Sequence, residues 1–313
     1  MGYVLRRLPQ LVLVLFAVTL LTFLSLNLLG DPLKSILGPQ YGDKELRAQV
    51  REDLNLDQPI PTRYVTWLSD AAHGDLGRSY NTRESISNIL SDRIPVSALL
   101  MVYAQVLALG LAIPIAIIAG YKADSWFDRS TTTAAFGFVA VPSFALGVIL
   151  LYFFAVQNDI FPSRYLDDSF GDQLYSLFLP ALTLALPAGA TYARLLRADI
   201  IRTLQEDFIT TAKSKGVRPT RVLVRHALRP SSFSLLTVFG LQVGALLGGA
   251  LVIENIFSIP GMGKAVVDAI FRKDYLVVQS VVLIVATTYV IVNFMVDALY
   301  NFLDPRVRDA ATA

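Results

Sequence analysis

The chain has 313 residues, of which 54% are hydrophobic and 17% charged, with a net charge of +2 and no cysteine. Soluble domains carry roughly 25% charged residues, so this composition, with a mean hydropathy of +0.53, argues against a water-soluble fold. The missing cysteines exclude disulfides and thiolate-held metals, and a near-balanced charge says little about partners; none is expected to be a nucleic acid.

The apolar residues fall in long blocks. A bilayer core needs about 20 mostly apolar residues in one helix, with every backbone group bonded internally. Stretches free of Asp, Glu, Lys and Arg lie at 11–29, 94–119, 130–156, 173–193, 230–253 and 275–296. Six such blocks predict about six transmembrane helices in an all-α integral membrane protein that binds the lipid bilayer. Arg6 and Arg7 before the first block resemble the start of a signal peptide. The block is too long for one, however, and no small-x-small cleavage site follows. It is read as a retained helix.

The segment 30–93 is polar and is expected outside the membrane. Within it, 43–54 reads as a short charged helix, Pro59 and Pro61 break it, 64–68 starts another helix, 74–77 (GDLG) is a turn, and 85–93 is amphipathic and leads into the second span. A solvated loop and a docking surface for an external partner are both open readings. The resulting division is 1–29 (N-terminus and first span), 30–93 (extracytoplasmic segment), 94–303 (a five-span core with a cytoplasmic loop 194–229) and 304–313 (a cytoplasmic tail).

Basic residues in short loops set orientation. The stretch 194–229 carries Arg194, Arg197, Arg202, Lys213, Lys215, Arg218, Arg221, Arg225 and Arg229 against Asp199, Glu206 and Asp207, and is expected in the cytoplasm. The loop 157–172 has Arg164 against Asp159, Asp167, Asp168 and Asp172, which suits the outside. Arg6 and Arg7 at one end, and Arg306 and Arg308 at the other, place both termini inside. The loop 122–129 is charge-balanced and uninformative.

No catalytic residues are expected. His73 and His226 fall in loops on opposite sides of the membrane, and no H-E-x-x-H or G-x-S-x-G pattern occurs. Gly261-Met262-Gly263-Lys264 is not a phosphate loop, because Ala265 follows the lysine and position 258 is serine. No metal site is expected either. The charge-free blocks lack the carboxylates that ion-coupled carriers place at mid-membrane. Gln105, Gln242 and Asn293 are their main polar side chains, with Asp297 at the end of the last. These three read first as interhelical hydrogen bonds and second as pathway groups. A pore of this kind is either passive or driven by another protein.

Residues 206–216 read as a short helix with Phe208, Ile209 and Ala212 on neighbouring faces and Lys213 and Lys215 toward water. Gly216 supplies a C-terminal cap, and Pro219 suits the first turn of a second helix, 219–228. This elbow could lie on the inner membrane surface, where basic loops meet anionic lipid, or receive another protein. In the next blocks, Gly240, Gly244, Gly248 and Gly249 are spaced for close helix contact, moving or static. After them, Ile256, Phe257, Ile259 and Pro260 form an apolar loop in which Gly261 and Gly263 permit a tight turn. So apolar a loop needs cover, which favours a re-entrant gate over a plain surface loop.

Thr210-Thr211-Ala212-x-x-x-Gly216 resembles the EAA motif of ABC importer permeases, with only its Ala and Gly matching. More specifically, the segments 207–216 (DFITTAKSKG), 225–228 (RHAL), 247–254 (LGGALVIE), 255–263 (NIFSIPGMG), 297–300 (DALY) and 303–308 (LDPRVR) resemble the first (B-type) membrane subunit of the oligopeptide/dipeptide/nickel permease family. The turn at 74–77 matches as well, and the resemblance runs from 5–7 (LRR) to Arg308. One departure is Arg229-Pro230, where the family has Arg-Asn and a later proline; it moves the proline to the start of span five.

The resemblance implies a type I (MetI-like) ABC importer permease in a bacterial inner membrane, with both termini cytoplasmic and no catalysis of its own. It implies a homologous second permease subunit, two cytoplasmic ATPases that use ATP and Mg, and an external solute-binding lipoprotein; this chain itself binds no cofactor. It gives Phe208, Ala212, Lys213, Lys215 and Gly216 a part in ATPase coupling, and Glu254, Phe257, Pro260, Gly261 and Gly263 a part in gating or binding-protein contact. Gln105, Gln242 and Asn293 remain pathway candidates. The implied cargo is a peptide, with nickel, glutathione or oligosaccharide as alternatives. The reading from a different class is a passive channel.

Overall fold

A computed structural model describes residues 2–28, 33–53 and 56–303; the tail 304–313, with Arg306 and Arg308, lies outside them. The described residues are almost wholly helical, with an isolated antiparallel bridge between Arg78 and Ser85 in place of strands. In chain order the helices are α1 (Gly2–Leu28), α2 (Leu33–Leu37), α3 (Lys44–Asp53), α4 (Ile60–Ala72), α5 (Ile86–Tyr121), α6 (Trp126–Ala140), α7 (Ser143–Gln157), α8 (Phe170–Thr203), α9 (Asp207–Ser214), α10 (Pro219–Ile256), α11 (Met262–Phe271) and α12 (Tyr275–Leu303).

Five of these are long and apolar enough to cross a membrane, or six if α6 and α7 count as one span. The sequence blocks are therefore all present, with two changes. The block 130–156 is not straight: α6 and α7 meet at 103°. The cause is local. Val141, preceding Pro142, is forced into extended backbone (φ −82, ψ 124) and ends the helix. The predicted second helix of the elbow, 219–228, is not separate either. It runs through Pro230 into the fifth block as one helix, α10, with a widened π segment at Val222–Ala227. A proline cannot donate to the carbonyl four residues back and crowds it; here that carbonyl belongs to His226, inside the wide turn.

The helices also outrun the charge-free blocks. Ser125 caps α6 by accepting from the Asp128 amide at 3.3 Å, so the helix includes Asp128, which is 2% exposed. At its far end α10 takes in the buried Glu254. Buried carboxylates therefore exist after all, at the helix ends.

The chain divides into two compact units. Unit 1 comprises Met1–Ser97 and Pro260–Val290. In it, α4 lies on α1 through Phe23, Tyr64 and Trp67, with Leu20, Leu68, Leu276 and Leu283 around them. The Tyr64 hydroxyl meets the Thr19 hydroxyl at 2.9 Å. The charged helix α3 ends at Asp53, ahead of the two prolines, and Pro61 sits in the first turn of α4, which therefore starts earlier than the expected position 64. Asp43 starts α3 by accepting from the Glu45 and Leu46 amides at 3.0 and 3.2 Å.

Unit 2 comprises Ala98–Ile259 and Ile291–Ala313. Its axis is α8, the most buried of the spans. Ala108, Ala112 and Ala116 of α5 are buried with Ala185, Ala188 and Ala193 of α8. Side chains this small let the two backbones close up; a Cβ on Gly189 would stand 3.1 Å from the Ala108 carbonyl oxygen. Of the spaced glycines on α10, Gly240 lies against Val296 and Gly249 against Leu184, while Gly248 faces open space.

Candidate functional site: the elbow between α8 and α10

Unit 2 folds the basic stretch into a hairpin of helices. Helix α8 ends at Thr203, Glu206 takes the N-cap position, and α9 follows with Asp207 in its first turn, where a negative charge complements the helix dipole. Ile209 and Ala212 are buried, and α9 packs against the π segment, whose Val222 and Ala227 are also buried. Phe208, expected beside them, instead points outward and is 46% exposed. Lys213 and Lys215 are exposed as well. One face of α9 thus seats on its own chain, while an aromatic ring and two cations stand exposed around it and at its end.

The end of α9 is a Schellman turn. The Val217 amide donates to the Ala212 carbonyl at 3.2 Å and the Gly216 amide to the Lys213 carbonyl at 2.9 Å. Gly216 holds φ +73, a left-handed backbone that costs other residues roughly 1–2 kcal/mol. The predicted cap therefore forms, and it fixes the angle at which the chain turns into α10.

Two contacts tie the foot of the hairpin. The hydroxyls of Thr203 and Ser231 meet at 3.1 Å, both buried, and Ser231 also donates to the Ala227 carbonyl at 2.9 Å. On α8, Arg197 forms a bidentate pair with Asp128 of α6, one arm at 2.6 Å. The Asp128 carboxylate also accepts from the Asp124 amide at 2.8 Å. One turn earlier, the Arg194 guanidinium lies 4.3 Å from the centre of the Phe136 ring. Two arginines counted as loop charges are thus helical residues engaged by α6. The loop 122–129, uninformative as sequence, supplies the anion. Arg194 and Arg197, one turn apart just beyond the fourth apolar block, were the available signal.

The pathway candidates separate. Gln105 is buried and accepts from the Tyr192 hydroxyl at 3.0 Å, with its Nε2 unpartnered. Gln242 and Asn293 are half-buried. Tyr192, a fully buried residue, was not singled out from the sequence.

The expected gate divides between the two units. In unit 2, Glu254 and Phe257 are buried, Phe257 next to Gly147, and the Ile259 amide donates to the Glu254 carbonyl at 2.8 Å. In unit 1, Pro260 is exposed and Gly261 and Gly263 are buried. The tight turn expected at these glycines is replaced by a helix: Gly261 caps α11 and Gly263 is in its first turn. The start of α11 is held by α5, where Ser97 accepts from the Met262 amide at 2.8 Å and Arg93 donates to the Gly261 carbonyl at 3.5 Å. Among the described residues, no group of three or more His, Asp or Glu side chains could hold a metal ion.

Residues 112–309 match the family described as binding-protein-dependent transport system inner membrane component, and residues 1–101 match its N-terminal counterpart. The chain belongs to this family. It is therefore a multi-pass inner membrane protein and the non-catalytic permease component of a binding-protein-dependent ABC transport system. Among curated relatives, the di/tripeptide transport system permease protein DppB of Pseudomonas aeruginosa is 37% identical, with 98% of this chain and 99% of DppB aligned. The glutathione transport system permease protein GsiC of Escherichia coli is 35% identical over the same shares. Nearly all of this permease, including both units and the elbow, lies within those alignments.

Proposed function

We propose that this permease forms half of a transmembrane pathway for peptides, paired with a homologous second permease and driven by two cytoplasmic ATPases that bind ATP and Mg. An extracytoplasmic binding protein delivers the cargo. The elbow is the ATPase contact, both termini are cytoplasmic, and 30–93 is extracytoplasmic. The observation that carries the coupling role is the two-faced α9: Ile209 and Ala212 seat it, while Phe208, Lys213 and Lys215 face outward. A surface with an exposed ring and two cations, on a helix seated against α10, suits a partner that pushes. Full-length similarity to a di/tripeptide permease supports peptide cargo. Glutathione, itself a small peptide and the cargo in GsiC's name, is the second reading.

Gating falls to Glu254, Phe257, Pro260, Gly261 and Gly263, and the pathway candidates remain Gln105, Gln242 and Asn293. Reconstitution into liposomes tests the whole. The complete complex is expected to accumulate labelled dipeptide only with ATP and binding protein, and this chain alone to pass none. Dipeptide flux through the chain alone would instead identify a passive channel.

A further inference from the structure

Segment 77–86 forms a hairpin in unit 1. The Ser79 amide donates to the Glu84 carbonyl at 2.9 Å, the Arg83 amide to the Ser79 carbonyl at 3.1 Å, and the Ile86 amide to the Gly77 carbonyl at 3.0 Å. The hairpin closes on one distant side chain. Asp274, the residue before α12, is 3% exposed. Its carboxylate accepts from the Ser79 hydroxyl at 2.5 Å, the Tyr80 amide at 3.2 Å, and the Asn81 amide and side-chain amide at 3.3 Å each. The Asn81 side chain also donates to the Arg272 carbonyl at 3.2 Å.

A desolvated carboxylate that receives this many donors is held firmly, because each bond to the charge is short of any alternative in a dry site. Two non-glycine residues flanking the contact, Arg83 (φ +60) and Lys273 (φ +55), adopt left-handed backbone. Such conformations persist where the surrounding contacts over-determine them. On its other side Asp274 is continuous with α12, since the Val278 amide donates to the Asp274 carbonyl at 3.2 Å. With 30–93 extracytoplasmic, as proposed above, this hairpin lies on the face that a binding protein would approach.

We propose that Asp274 is a positioning residue, latching the 77–86 hairpin to the start of the last span so that load from a docked binding protein reaches α12. The inference rests on the importer reading above. A plain staple would hold the fold and nothing more, whereas a latch would pass a signal. The test therefore compares basal with binding-protein-stimulated ATPase activity of the complete transporter in nanodiscs, for wild type, Asp274→Asn and Ser79→Ala. The expected result is a several-fold loss of stimulation in Asp274→Asn and a smaller loss in Ser79→Ala, with basal activity kept. If Asp274→Asn does not assemble, Ser79→Ala, which keeps the carboxylate, decides. Stimulation unchanged, or falling in parallel with basal activity, would overturn the latch. Absence of stimulation in the wild-type complex would overturn the importer reading instead.

Discussion

Asp128 and Asp274 are both almost fully buried, and the protein stabilises them in opposite ways. Asp128 in unit 2 is paired with a guanidinium. Asp274 in unit 1 is surrounded by a hydroxyl and three amide N–H groups. The first arrangement binds two helices through opposite charges, and the buried Asp128 charge above all is costly once its partner is gone. The second binds a loop to a helix through directed dipoles, and removing the negative charge leaves neutral groups that still have partial substitutes. One joint is therefore all-or-none and the other is graded. The all-or-none joint fixes α6 to α8 near the elbow; the graded joint holds the 77–86 hairpin to the start of α12.

The largest effect expected from this contrast is at Asp128. Asp128→Asn leaves the half-buried Arg197 without its anion and should destabilise by about 3 kcal/mol, the low end for a buried pair. Thermal unfolding of the purified permease complex would show it. Replacing both partners, as Asp128→Leu with Arg197→Met, should be milder than the single change, because no uncompensated charge remains. If the double variant is the worse of the two, the charge account of this joint is wrong.

Asp274→Asn comes next. It puts an N–H group where acceptors are needed and should cost about 1.5–3 kcal/mol, less than Asp128→Asn on the same measurement. The ordering of the two variants is the point: equal losses would erase the contrast. Gly216→Val should follow at roughly 1–2 kcal/mol from left-handed strain alone, together with a loss of ATPase association out of proportion to that figure. The smallest effect belongs to Thr203→Val, which removes one buried hydroxyl contact at the foot of the elbow and should cost about 1 kcal/mol.

These joints also mark where sequence reading stopped. The spans were legible because the bilayer imposes length and apolarity on each separately. The cap at Gly216 was legible because left-handed backbone selects glycine locally. The bend at Val141-Pro142 had a local cause as well, but an uncharged run hid it. Asp128 with Arg197, and Asp274 with Ser79, pair residues 69 and 195 positions apart, and no periodicity connects such distances. The outward turn of Phe208 depended on which face α10 would cover, and so on the unforeseen continuity of α10 into the elbow. The helix α11 was missed because its two glycines suggested a turn, whereas one serves as its cap.

The central claim is that the outer face of α9 receives the ATPase. Its most direct test is the amount of ATPase that co-purifies with the two permease subunits when Phe208 is changed to Asp. The side chain is exposed, so the fold should survive. The expected outcome is an intact permease pair with ATPase recovery reduced at least about tenfold, which corresponds to about 1.4 kcal/mol or more of lost contact. Full recovery of ATPase with the Phe208→Asp permease would contradict the claim and move the coupling site elsewhere on the chain.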